Sequence, residues 1–80
     1  MDSVKDKIKA MLTETMGLPD TAVTNDAHLS RDLGVDSLDF AELVMEFEQE
    51  FDIRIPHEDA EHLQSVEDVQ NYIIKKLSSD

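Results

Sequence analysis

Eighty residues carry 7 Lys and Arg against 19 Asp and Glu, a formal net charge of -12 that repels nucleic-acid and lipid phosphates and favours basic protein surfaces as partners. There is no cysteine, so neither disulfides nor a thiolate metal cage can support the fold, and one small core is expected to hold residues 1–80 as a single domain. A 40% hydrophobic share at helical spacing separates the chain from a disordered acidic tail, while no apolar run approaches a bilayer span or a secretory signal; a cytoplasmic monomer without membrane insertion is expected.

Val4, Ile8, Met11, Leu12 and Thr15 recur at steps of three and four, predicting an amphipathic helix over residues 3–16 behind an Asp2 or Ser3 cap. Gly17 and Pro19 stop it. Residues 18–35 read as a long loop with a short helical turn at 30–33, pinned to the core by Leu18, Val23, Ala27, Leu29 and Leu33. A second helix should begin at the Asp36 cap and run to Phe51, with Phe40, Leu43, Val44, Phe47 and Phe51 on its core face. Leu38, Ala41 and Met45 form another apolar stripe, read either as one side of a wide core face or as a partner surface. The small core favours the surface. Acidic Asp39, Glu42, Glu46 and Glu50 lie beyond that stripe. After an extended connection ending in Ile55-Pro56, a short helix is expected over residues 57–62. A last helix then opens at Ser65 with Asp68 three residues on, its inner face formed by Val66, Val69, Ile73 and Leu77. The fold class is all-α: three longer helices and one short one.

At Asp36-Ser37-Leu38 the ordinary reading is helix capping. A functional reading rests on the second apolar stripe flanked by acids, and on the positive helix end, where a phosphodiester on Ser37 would be stabilised. A serine nucleophile would need a nearby base and usually a strained G-x-S-x-G turn. The local string Gly34-Val35-Asp36-Ser37-Leu38-Asp39 lacks that turn, and nothing in the sequence places any of the 3 histidines near Ser37. The histidines are expected at the exposed surface, and no catalytic residue is assigned. His57 and His62 stand five apart, on different helix faces, instead of the four of H-E-x-x-H. A calcium loop counted from Asp32 would have Ser37 and Leu43 where Gly and Glu are required, so no metal site is assigned.

The string Asp32-Leu33-Gly34-Val35-Asp36-Ser37-Leu38-Asp39, followed by Glu42-Leu43-Val44-Met45, resembles the phosphopantetheine attachment motif of acyl carrier proteins. The resemblance extends through Val23-Thr24-Asn25, Phe47, Phe51, Ile55-Pro56 and a final helix ending near residue 77. It implies a four-helix acyl-carrier bundle in which Ser37 receives 4′-phosphopantetheine from coenzyme A through a separate magnesium-using phosphopantetheinyl transferase. The arm's thiol would carry acyl chains as thioesters, most simply in fatty acid biosynthesis. The resemblance further implies that Asp36, Asp39, Glu42 and Glu48 meet basic patches on acyl-handling enzymes, with Leu38, Ala41 and Met45 as the apolar part of that surface.

Phe40 stands where the commonest fatty-acid pattern has a small residue, Gln49 replaces a frequent acid, and His57 replaces an acidic cap. These departures bear on substrate and partner range. Alternative readings are a dedicated carrier for polyketide, aryl polyene or other secondary metabolism, and an unmodified acidic adaptor.

Overall fold

The computed structural model describes residues 2–78, and the side chains of residues 4–78. The expected Asp2 or Ser3 cap therefore lies outside the described side chains. The described residues contain α1 (Asp2–Met16), a 3-10 turn (Asp20–Ala22), α2 (Ser37–Phe51), α3 (His57–Ala60) and α4 (Val66–Ser78). Three of these helices are long, as the periodicity predicts. The only extended pairing among the described residues is a bridge between His28 and Ser65.

α1 buries Ile8 and Leu12, and Gly17 ends it at φ 66, a left-handed conformation that glycine adopts without steric cost. Leu18 N then donates to Thr13 O at 3.0 Å, closing the helix by a Schellman-type bond. α2 ends in the same way without glycine: Asp52 sits at φ 54, and Ile53 N donates to Glu48 O at 3.2 Å. Aspartate tolerates this region better than most residues.

The long loop is ordered because its polar backbone is used. Val66 N and Glu67 N, first-turn donors of α4, reach Ala27 O at 3.0 Å and Asn25 O at 2.9 Å, while Leu29 N donates to Gln64 O at 2.8 Å. Val23, Ala27, Leu29, Leu33 and Val35 are buried, so the loop forms one wall of the core. Leu43 and Phe47 supply the buried centre of α2, with Phe40, Val44 and Phe51 half-buried around them. Ser65 and Asp68 form a reciprocal cap: Asp68 N donates to Ser65 Oγ at 3.1 Å and Ser65 N to Asp68 Oδ2 at 3.2 Å.

Two expectations need correction. The turn over residues 30–33 is a run of hydrogen-bonded turns, and the loop's one helical piece is the 3-10 turn at Asp20–Ala22. On α4, Leu77 is 40% exposed, while Gln70 completes the buried face at 1%. α4 runs past the end of the core at Leu77, whereas position 70 lies four residues after Val66 and three before Ile73, facing inward whatever its polarity.

Tyr72 ties α4 to α3 by donating from its hydroxyl to Asp59 Oδ2 at 2.7 Å. Burial, the hydrogen bond to Asp59 and the nearby carboxylates push its phenol up from 10.0 to about 12. The neutral phenol is thus favoured in the folded state: its stabilisation is complete below pH 10 and is lost as pH rises through about 12. Urea denaturation should show wild type ahead of Tyr72→Phe by about 1 kcal/mol at pH 9, with the gap shrinking by pH 11. An equal gap at both pH values would mean the hydroxyl contributes nothing through its proton.

Candidate functional site

Each residue leading into α2 has a structural task. Asp32 Oδ2 accepts from His28 N at 2.7 Å, and Asp32 N and Leu33 N both donate to His28 O. Leu33 and Val35 are buried. Gly34 turns the chain at φ 73, with its N–H on Ser30 O at 3.2 Å; nothing lies within 4 Å of where a Cβ would stand, so the demand for glycine is conformational. Asp36 then caps α2: its Oδ1 accepts from Asp39 N at 2.8 Å, and Asp36 N reaches Asp39 Oδ2 at 3.5 Å.

Ser37 is the first residue of α2 and is exposed. Its hydroxyl takes no part in the cap, and it stands at the positive end of the helix dipole. Leu38, next to it, is 81% exposed. An apolar side chain held so far into solvent at a helix start has no packing role. Ala41 is exposed as well, and Met45 is 57% exposed, so the stripe predicted from spacing faces outward.

Beside Ser37 lies an open cleft of about 820 Å³ between α2, α3 and the turn at 28–35. Its inner walls are Val35, Phe40, Val44, Ile55, Ala60 and Leu63, and exposed Ser30, His57, Glu61 and Gln64 stand at its rim. The cleft gathers residues from the turn at 28–35, from α2 and from the stretch between Ile55 and Gln64, which is why spacing along α2 alone could not reveal it. A chain bonded to Ser37 Oγ would start at the mouth of this cleft, so the residues present suit an arm bearing an apolar cargo.

His57 and His62 are exposed, as the sequence reading expects, and His28 is the exception. His28 is half-buried, and both it and His57 line the cleft that Ser37 borders. His28 Nδ1 accepts from Arg31 N at 3.1 Å, with Ser30 Oγ at 3.3 Å, so that nitrogen is held within its own turn. His57 Nε2 lies 3.1 Å from Glu61 Oε2.

The acids of α2 divide into three groups. Glu46 Oε1 accepts from Thr15 Oγ1 at 2.8 Å, and Glu50 Oε2 lies 2.8 Å from Lys7 Nζ, so these two fasten α2 to α1. Glu48 is half-buried and its Oε2 accepts from Ile55 N at 2.7 Å, bracing the connection to α3. Asp36, Asp39 and Glu42 remain beside Leu38, Ala41 and Met45 along the outward side near Ser37, with Asp36 and Glu42 exposed and Asp39 half-buried.

The family profile for the phosphopantetheine attachment site matches residues 6–73. The chain is 49% identical over 74 residues to the acyl carrier protein of Akkermansia muciniphila, covering 92% of both chains. It is 43% identical over 76 residues to the acyl carrier protein of Chloroherpeton thalassium, covering 95% of both. No described helix is long and apolar enough to cross a membrane. With an all-helical bundle and a match over most of its length, the chain belongs to the acyl carrier protein family, non-catalytic carriers of acyl chains on a covalent 4′-phosphopantetheine arm installed by phosphopantetheinyl transferases.

Proposed function

We propose that Ser37 Oγ is the attachment point of the arm, and that residues 1–80 act as one cytoplasmic carrier domain presenting fatty acyl intermediates to the enzymes of fatty acid biosynthesis. The observation that carries this reading is the position of Ser37: exposed, first in α2, beside the cap and bordering an apolar cleft. In loading, Ser37 Oγ bonds to the phosphorus of the phosphopantetheinyl group as the P–O bond of the coenzyme A diphosphate breaks, adenosine 3′,5′-bisphosphate leaves with the bonding electron pair, and the hydroxyl proton passes to a base of the transferase. When attached, the arm supplies a thiol that forms thioesters. The chain's own residues hold Oγ outside the cap and offer an apolar wall to the cargo, which favours hydrocarbon chains over polar ones. Intact mass of the protein from its native cell, with the modified peptide mapped, tests the whole reading. A phosphopantetheine mass on the Ser37 peptide carrying saturated and 3-hydroxy acyl groups supports it. A polyene, aryl or polyketide cargo moves the chain to secondary metabolism, and an unmodified mass to an adaptor role.

The docking surface is assigned to Leu38, Ala41 and Met45 with Asp36, Asp39 and Glu42. Glu48 lies at its edge, where it also accepts from Ile55 N. Charge reversal separates the roles. Glu42→Lys should slow association with a basic-patched transferase about tenfold at low salt, the difference fading as salt rises, while stability stays within about 0.5 kcal/mol. Glu48→Ala should lower stability by about 1–2 kcal/mol by leaving Ile55 N without its carboxylate. Unchanged association kinetics for Glu42→Lys would place the docking surface elsewhere.

A further inference from the structure

Gln70 is the one buried polar side chain among the described residues, 1% exposed, and its Nε2 has no hydrogen-bond partner among them. An amide kept from water without a partner is destabilising compared with an apolar residue of the same size. Gln70 lines a cavity of about 240 Å³ where α1, the loop and α4 meet, together with Lys5, Asp6, Lys9 and Asn25. Lys5 and Lys9 are one helical turn apart and share a face of α1, whereas Lys7 between them is held on the α2 side by Glu50 at 2.8 Å. Two of the chain's 7 basic side chains therefore line the same cavity as a buried amide in a molecule of net charge -12.

Two ammonium groups and the amides of Asn25 and Gln70 are donors suited to an oxyanion. Asp6 adds a requirement, because a carboxylate repels an anion that offers only acceptors but accepts a hydrogen bond from one that retains an O–H. At neutral pH hydrogen phosphate keeps a P–OH, whereas sulfate has none and a phosphomonoester is mostly the dianion without one. We propose that this cavity binds inorganic hydrogen phosphate, with Lys5, Lys9, Asn25 and Gln70 Nε2 donating to it and Asp6 accepting from its hydroxyl. The bound ion joins α1, the loop at Asn25 and α4, so the stability of the carrier rises with phosphate concentration.

The test is a titration of the full chain at pH 7.5 and constant ionic strength in chloride, with inorganic phosphate, sulfate or glycerol 3-phosphate as probe. The side-chain amide resonances of Gln70 and Asn25 and the melting temperature are followed. Phosphate should shift both resonances saturably and raise Tm, with sulfate and the monoester at least tenfold weaker. Lys5→Gln combined with Lys9→Gln should weaken phosphate by about tenfold or more while leaving Tm in chloride near wild type. Gln70→Leu should raise Tm in chloride and remove the phosphate increment. Asp6→Asn should bring sulfate level with phosphate. Equal responses to sulfate and phosphate in the wild type, a response that survives the double lysine substitution, or no saturable response would each overturn the proposal.

Discussion

Ser37→Ala is expected to abolish loading completely: with coenzyme A, magnesium and a phosphopantetheinyl transferase, the wild type gains one phosphopantetheinyl group and the variant gains no mass. The reason is stoichiometric, since the phosphodiester forms on an oxygen that alanine lacks. Stability should barely move. The cap belongs to Asp36, whose Oδ1 still receives Asp39 N at 2.8 Å, and Ser37 makes no bond within that cap. Native helix content and a folding free energy within about 0.5 kcal/mol of wild type are therefore expected, so loss of loading cannot be attributed to unfolding. Mass gained by the Ala variant would move the arm to another serine, and Ser30 on the same cleft is the first to examine. A wild type that resists several transferases would favour the adaptor reading.

Much of this site is local chemistry and was legible for that reason. An acid before an apolar periodic run marks the cap at Asp36, and steps of three and four along α2 separate Phe47 and Leu43 from Leu38 and Met45 without reference to any other helix. The Ser65 and Asp68 pair was readable on the same grounds. The destination of each acid was not. A helical wheel places Glu46 and Glu50 on a side, but only the packing of α1 brings Thr15 and Lys7 there, and only the bend after Asp52 brings Ile55 N to Glu48. His57 reaches the Ser37 cleft because α3 borders the same cleft as α2, and His28 reaches it through the turn that leads into α2. The 3-10 turn at Asp20–Ala22 is too short to show a period. Gln70 carries no apolar signature that would mark it as core; its position between Val66 and Ile73 places it there, because position decides when neighbouring turns are packed.

The depth of the cleft governs the second large effect, the dependence of stability on acyl length. If the cargo folds back from Ser37 against Val35, Val44, Ile55 and Leu63, each methylene removed from water contributes about 0.8 kcal/mol before the cost of ordering the chain. Lengthening the acyl group from about four to eight carbons should then add roughly 3 kcal/mol at most, and for a domain this small about 4–8 °C in Tm per kcal/mol. Phe40 sets where the series stops. Its ring is half-buried and lines the cleft, occupying volume that a longer chain would need. Phe40→Thr should therefore lower the stability of the unacylated protein, by less than the roughly 3–5 kcal/mol lost when a fully buried Phe is truncated to Ala. It should also let Tm keep rising at chain lengths where the wild type has levelled off. The two effects have opposite signs in the same variant, which separates a widened cleft from general damage to the core. A Tm flat with acyl length in wild type that climbs in Phe40→Thr would identify Phe40 as a plug, and one flat in both would mean that the cargo stays in solvent.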